Sequence, residues 1–259
     1  MKLFDTHFHF YGEQSPREYY DAIKIPELTY LLAVGGDLEG STLARNFAEG
    51  IENSWFAAGI HPHSAAEEQA ELSRFREFKD HEKLVAVGEI GLDYFYENSP
   101  RRCQRNIMEH FLQLALDWQL PAIIHCRDSD DKFDAYQDSH AMLRDFAADG
   151  GRFVVHCFSG IPHWAEKFME LGAFLGITGM VTFPRADNIR ETLKVISDEL
   201  LLIETDSPYL APVPHRGKTN NPGYVIEVAR KIAAERGCSI EQIADLTTSN
   251  AFRLFNLEQ

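Results

Sequence analysis

Cysteine is scarce in this chain and never clustered. The four cysteines, Cys103, Cys126, Cys157 and Cys238, form no Cys-x-x-Cys pair, which argues against a thiolate zinc site, and nothing in their placement suggests disulfides. Cys126 and Cys157 each follow a histidine at the end of an apolar run. Strand alternation turns them away from that histidine, into apolar packing. Long apolar runs are also missing: none approaches a membrane span, and the N-terminus lacks the charged-then-apolar layout of a signal peptide. The expectation is a cytoplasmic protein with no membrane contact. Basic residues are few, 25 Lys and Arg against 40 Asp and Glu, for a formal net charge of −15. This balance works against non-specific binding to nucleic acid or anionic lipid. Bound divalent cations would still invert the local field for a polyanionic substrate. No low-complexity tract, linker or internal repeat interrupts the 259 residues, so one domain spanning 1–259 is expected.

Eight short apolar runs punctuate the chain, at 2–8, 29–35, 55–60, 84–89, 121–125, 152–156, 173–178 and 200–205. Their near-continuous hydrophobicity suits strands buried on both faces of a parallel sheet. Helical stretches lie between them. Residues 64–81 carry Leu72, Phe75 and Phe78 at threefold spacing, and residues 100–119 place Ile107, Phe111, Leu114, Ala115 and Trp118 on one stripe. Ser15 with Glu18, and Ser239 with Gln242, fit capping boxes. Pro162 fits the first turn of a helix closed by Gly172. Asn221-Pro222 opens a last long helix ending near Gly237, and a second, short helix starts at Ser239. Eight strand–helix units predict an α/β protein, a single-domain TIM (β/α)8 barrel, with a doubly wound open sheet as the alternative.

In such a barrel the chemistry comes from the C-terminal ends of the strands. Six of the eleven histidines fall there. His7 and His9 share one strand face, and the fourth, fifth, sixth and eighth runs add Glu89, His125, His156 and Asp206. These six side chains are the expected metal ligands. They exceed what one tetrahedral ion takes, whereas two ions bridged by a carboxylate would use them all. Glu89 is the natural bridge, and Asp206 can bind an ion while handling a proton. The all-nitrogen-and-oxygen set suits two divalent ions, Zn, Mn or Mg. Water shared by two such ions loses its proton near neutral pH and attacks a phosphorus or carbonyl centre. Asp5 reads as an orienting partner for a ligand imidazole, and Glu204 as a buried acid one layer deeper.

Together, Asp5-Thr6-His7-Phe8-His9, Gly59-Ile60-His61-Pro62-His63, Gly88-Glu89-Ile90-Gly91-Leu92-Asp93, His156-Cys157-Phe158-Ser159-Gly160 and Glu204-Thr205-Asp206-Ser207-Pro208-Tyr209-Leu210-Ala211-Pro212 resemble the TatD family of metal-dependent hydrolases. The likeness continues through Pro214-His215-Arg216-Gly217-Lys218 and Asn220-Asn221-Pro222 and covers essentially the whole chain. It implies an amidohydrolase-like barrel, a divalent-metal centre and deoxyribonuclease activity, often 3′-end exonucleolytic on single strands. His7, His9, Glu89, His125, His156 and Asp206 match the family's metal ligands, and His61 and His63 match a pair that meets substrate phosphate. In this chain the segment after the fifth strand, Arg127 to His140, is longer and more acidic than usual. An acidic loop there repels a nucleic-acid backbone unless it faces away or binds cation. The segment after His9 is shorter than usual.

Arg127 shares parity with His125 and reaches the mouth, where it can hold phosphate or a neighbouring carboxylate. His215, Arg216 and Lys218 make a small basic knot after the eighth strand, where barrels often build phosphate sites. Among Phe10, Tyr11, Tyr94, Phe95, Tyr96 and Phe158, one or two are expected to stack on a base. With no broad basic stripe for a long duplex, the expected partner is a DNA end or short single strand, with no obligate protein partner. Hydrolysis of a carboxylic ester or amide, as by a D-aminoacyl-tRNA deacylase, is the alternative, and a non-catalytic metal-binding protein the third reading.

Overall fold

In the computed structural model, which describes residues 1–129 and 132–258, the eight apolar runs become eight parallel strands. They are β1 (Leu3–Phe8), β2 (Leu28–Val34), β3 (Ser54–Ala58), β4 (Leu84–Asp93), β5 (Ala122–Arg127), β6 (Phe153–Val155), β7 (Phe174–Ile177) and β8 (Leu201–Ile203), hydrogen-bonded in sequence order. The ring closes just beyond β8. His9 N donates to Ser207 O at 2.8 Å, and Asp206 N donates to His7 O at 2.9 Å. Closure leaves no strand edge for another chain to pair with. The TIM barrel is therefore as expected, and the open sheet is excluded.

Asp5 fastens this seam, and among the described residues its bonds go to Thr205 and to the backbone N–H of His7, at 3.3 Å, rather than to an imidazole ring. Its Oδ1 accepts Thr205 N at 2.9 Å and its Oδ2 accepts the Thr205 hydroxyl at 2.6 Å. Its expected role as a partner of a ligand imidazole is thus corrected to one on the main chain: it anchors the backbone of His7 and closes the barrel. Burial pushes the Asp5 carboxyl up to about 8 despite the bonds from Thr205.

Helices α1 (Pro16–Ile23), α2 (Leu38–Gly50), α3 (Arg101–Trp118), α4 (Asp134–Ala148), α5 (Pro162–Glu170), α6 (Asp187–Val195), α7 (Val225–Arg236) and α8 (Ile240–Phe255) complete the structure. Both capping boxes form, at Ser15 and Ser239. Two boundaries differ from expectation. The stretch after β3 is a 3-10 helix over Glu68–Phe78. A strict threefold repeat of Leu72, Phe75 and Phe78 lines up on one face at three residues per turn, not 3.6. The helix from Ser239 is long rather than short, because its core face runs on through Phe252 and Phe255.

That face seals the bottom of the barrel. Thr248 Oγ1 donates to Lys2 O at 3.0 Å, and Asn250 Nδ2 donates to Leu201 O at 2.9 Å, tying α8 to the start of β1 and β8. Phe252 and Phe255 then pack on Phe4, above which lie Leu32, Ile123, Val154 and Leu202. Ile123 shares strand parity with His125, and Val154 with His156. An apolar floor thus lies directly beneath the polar strand ends.

Candidate metal centre

All six expected ligands converge at the C-terminal mouth, around Glu89. One Glu89 oxygen, Oε2, lies 3.3 Å from His7 Nε2 and 3.7 Å from His9 Nε2. The other, Oε1, lies 2.8 Å from His156 Nε2 and 2.9 Å from His125 Nδ1. Asp206 Oδ1 joins the first group, 3.5 Å from His9 Nε2 and 3.9 Å from His7 Nε2. Asp206 reaches inward because the chain turns through the left-handed region there, at φ 54°. Such a conformation is uncommon for a non-glycine residue and concentrates at functional sites.

Gly91 makes the second group possible. A Cβ at this position would stand 1.9 Å from His125 O, so only glycine lets β5 lie this close to β4 between Glu89 and Asp93. His61 also enters the cluster. Its Nε2 lies 3.5 Å from Glu89 Oε1 and 3.3 Å from His125 Nδ1, at ligand-like distance rather than out at the rim.

This donor set fits metal ions. His7 Nε2 and His9 Nε2 face each other at 3.4 Å while both turn to one carboxylate oxygen. A bound cation satisfies two lone pairs in that arrangement, which a single shared proton cannot. The three ligand groups His7–His9–Glu89, His7–His156–Asp206 and His61–Glu89–His125 each gather their donor atoms within 4.8 Å. Glu89 is common to two of them, which suggests a binuclear site. Burial holds His7 and His61 below the ordinary imidazole value, hence neutral, the form that ligates. Burial opposes charge on His156, His9 and His125 as well, but the carboxylates beside them raise all three. Burial likewise works against ionised Glu89 and Asp206, and the surrounding imidazoles hold both below the usual carboxylate range.

Asp93 escaped the sequence reading. Its buried Oδ2 lies 3.0 Å from both His125 Nε2 and His63 Nε2, and its Oδ1 accepts Tyr96 N at 2.8 Å. Parity is the available signal, since Asp93 lies four residues beyond Glu89 on the same strand face, past the end of the apolar run 84–89. His63 thus sits one residue out from the cluster, against Asp93. Glu204 is a deeper acid, as expected: its Oε1 accepts Cys157 N at 2.5 Å and lies 3.3 Å from His156 Nδ1.

The expected substrate contacts are spread more widely. Arg127 is exposed at the mouth, its guanidinium 4.7 Å from the Phe95 ring and 4.8 Å from the Tyr96 ring. His215 stacks on Tyr224 at 3.8 Å. Arg216 lies over Phe183 at 4.0 Å and donates to Ala211 O at 2.9 Å. Both hold the loop after β8 together and make no direct contact with the ligand cluster among the described residues. Lys218 is exposed in the same loop.

Two acids of the segment after β5 are paired with basic side chains. Asp134 pairs with Arg101 at 3.1 Å and Asp138 with Arg105 at 2.9 Å, both arginines of α3. Asp128 accepts Ser129 N and Ala135 N at the start of α4. Asp130 and Asp131 lie outside the described residues. Phe10, Tyr94 and Phe158 are packed inside. Cys126 is buried in apolar packing as expected, and Cys157 Sγ lies against Thr178 and Met180. Among the described residues no helix is long and apolar enough to cross a membrane.

Known proteins are similar to this chain in sequence and in fold. A family model described as TatD related DNase matches residues 4–256. The uncharacterized metal-dependent hydrolase YabD of Bacillus subtilis is 37% identical over 259 residues, 98% of this chain and 99% of that one. The 3′-5′ ssDNA/RNA exonuclease TatD of a Rahnella strain is 34% identical over 237 residues, 89% of this chain and 88% of its own. Among solved structures, the TatD homologue YJJV of Escherichia coli superposes with a TM-score of 0.85 at 27% identity, covering 99% of this chain and 98% of that one.

Proposed function

The chain belongs to the TatD family of metal-dependent hydrolases, and from that membership we propose that it is a deoxyribonuclease using two divalent ions to remove nucleotides from the 3′ end of single-stranded DNA. The observation that carries this reading is Glu89, whose two oxygens face two different sets of imidazoles. The relative named as a 3′-5′ exonuclease on single-stranded DNA and RNA supports the substrate class.

His7, His9, Glu89, His125, His156 and Asp206 would hold the ions, with Glu89 facing both sets of imidazoles. Bound divalent ions would supply an acidified water and positive charge to offset the charge developing in the transition state. Asp206, at the edge of the cluster, accepts the proton of the attacking water and passes it towards the departing 3′ oxygen. His61 and His63 lie where a non-bridging phosphate oxygen arrives, Arg127 and Lys218 meet flanking phosphates, and His215 and Arg216 shape the loop that carries Lys218. Buried Glu204 and the apolar floor keep bulk water from beneath the ions, which strengthens each charge interaction above them.

The test is hydrolysis of an end-labelled single-stranded oligodeoxynucleotide by metal-stripped protein, with Mg²⁺, Mn²⁺ or Zn²⁺ restored separately. A metal-dependent ladder shortening from the 3′ end is expected. No cleavage with any ion, alongside turnover of an aminoacyl ester, transfers the site to the ester and amide hydrolase reading.

A further inference from the structure

Large apolar side chains are rarely left half-exposed in numbers at one place. Among the described residues six are exposed, and four of these are aromatic: Tyr11, Phe95, Tyr96 and Tyr209. These four form two groups, one beside the ligand His9 and one beside His63. Tyr11 follows β1 and Tyr209 follows β8, and their hydroxyls meet at 2.7 Å. Their rings lie 6.3 and 6.2 Å from that of His9. Phe95 and Tyr96 follow β4, edge to face at 4.7 Å, with the Arg127 guanidinium from the end of β5 against both. The Tyr96 ring is 5.5 Å from that of His63.

In a closed ring of eight strands in sequence order, the β8–β1 seam stands opposite β4 and β5. The two aromatic groups therefore face each other across the ions' residues. Three of the four backbones are held by hydrogen bonds: Phe95 N and Tyr96 N donate to Asp93 Oδ1, and Tyr209 O accepts the buried Asn220 amide at 2.5 Å. The rings are presented, not loosely tethered.

We infer that the Tyr11–Tyr209 pair and the Phe95–Tyr96–Arg127 group are two base-stacking platforms, one for the nucleoside on each side of the scissile phosphate. This rests on the phosphodiesterase reading above. Stacking accepts any base, because every base offers a π face, and it needs bases not already stacked in a duplex. The planar Arg127 guanidinium adds a fork for the phosphate beside the stacked base. A chain end crossing the cluster is then gripped on both flanks, and an acidic protein binds it without a basic groove. Tyr209 is the unexpected member.

The experiment uses the metal-loaded enzyme and four dinucleotides: thymidylyl-thymidine, two analogues with a tetrahydrofuran spacer replacing one nucleoside or the other, and one with both replaced. The Tyr11→Ala/Tyr209→Ala and Phe95→Ala/Tyr96→Ala pairs are compared with Tyr11→Phe/Tyr209→Phe. Each alanine pair is expected to raise KM about tenfold or more for thymidylyl-thymidine and for one single-base analogue, a different analogue for each pair. KM for the double-spacer substrate stays within about twofold, and the phenylalanine pair resembles wild type. Equilibrium binding of labelled oligothymidylate gives a readout without turnover, with Kd rising in both alanine pairs. Hydrolysis with KM and Kd unchanged in both pairs overturns the platforms alone. Equal losses on all four substrates overturn them too, since that marks a collapsed mouth. Failure of wild-type protein to cleave any phosphodiester overturns the phosphodiesterase reading and the platforms with it.

Discussion

Asp93 Oδ2 lies 3.0 Å from His125 Nε2. A carboxylate only accepts, so Asp93 favours a proton on His125 Nε2; Nδ1, 2.9 Å from Glu89 Oε1, would then be free to ligate an ion held between them. One residue outside the cluster would thereby set the tautomer of a ligand inside it, and the same oxygen also lies 3.0 Å from His63 Nε2. Partners of this kind commonly govern ion affinity as strongly as geometry does.

Removing that partner should therefore weaken ion binding without unfolding the barrel. Asp93→Ala is expected to lower divalent-ion affinity by about 10- to 100-fold, read by competition with a fluorescent chelator. Unchanged affinity would show that His125 is oriented by Glu89 alone.

Asp206 separates chemistry from assembly. Asn in its place keeps an oxygen for the ion but no longer takes a proton. Asp206→Asn should cut kcat by about 100-fold or more while the protein retains most of its metal, measured on the same preparation by mass spectrometry of bound ions. Near-normal turnover would remove the proton-transfer role.

Away from the site, the Ser239 capping box should contribute to stability on its own account. Ser239 Oγ accepts Gln242 N at 3.2 Å and Gln242 Oε1 accepts Ser239 N at 2.9 Å. Ser239→Ala is expected to lower unfolding free energy by about 1 kcal/mol, seen as a shift of the urea midpoint at constant slope, with activity unaltered. A shift in activity instead would tie α8 to the site.

Much of this was legible in residue order, for identifiable reasons. An apolar run ending in His, Glu or Asp marks a barrel strand and its outward tip at once, so His7, His125 and His156 were found without coordinates. Local caps at Ser15 and Ser239 were likewise readable, because each involves residues three apart. What escaped depends on distance in the chain. Tyr11 and Tyr209 meet across 198 residues and His63 and Asp93 across 30, contacts that only barrel closure and strand adjacency create. The Asp5–Thr205 bond is invisible locally for the same reason, since the two residues are 200 apart in the chain. The 3-10 helix over Glu68–Phe78 was hidden by a repeat that suits either helix type until the turn is counted.

A bridging role for Glu89 makes metal stoichiometry depend on that one carboxylate. The direct measurement is the metal content of wild-type and Glu89→Gln protein after equilibration with Mn²⁺ or Zn²⁺ and removal of free ion, with circular dichroism verifying the fold. About two ions per wild-type chain are expected, and fewer than one in the variant, because both positions lose their shared carboxylate. One ion in the wild type, or two retained in Glu89→Gln, would contradict the bridged centre.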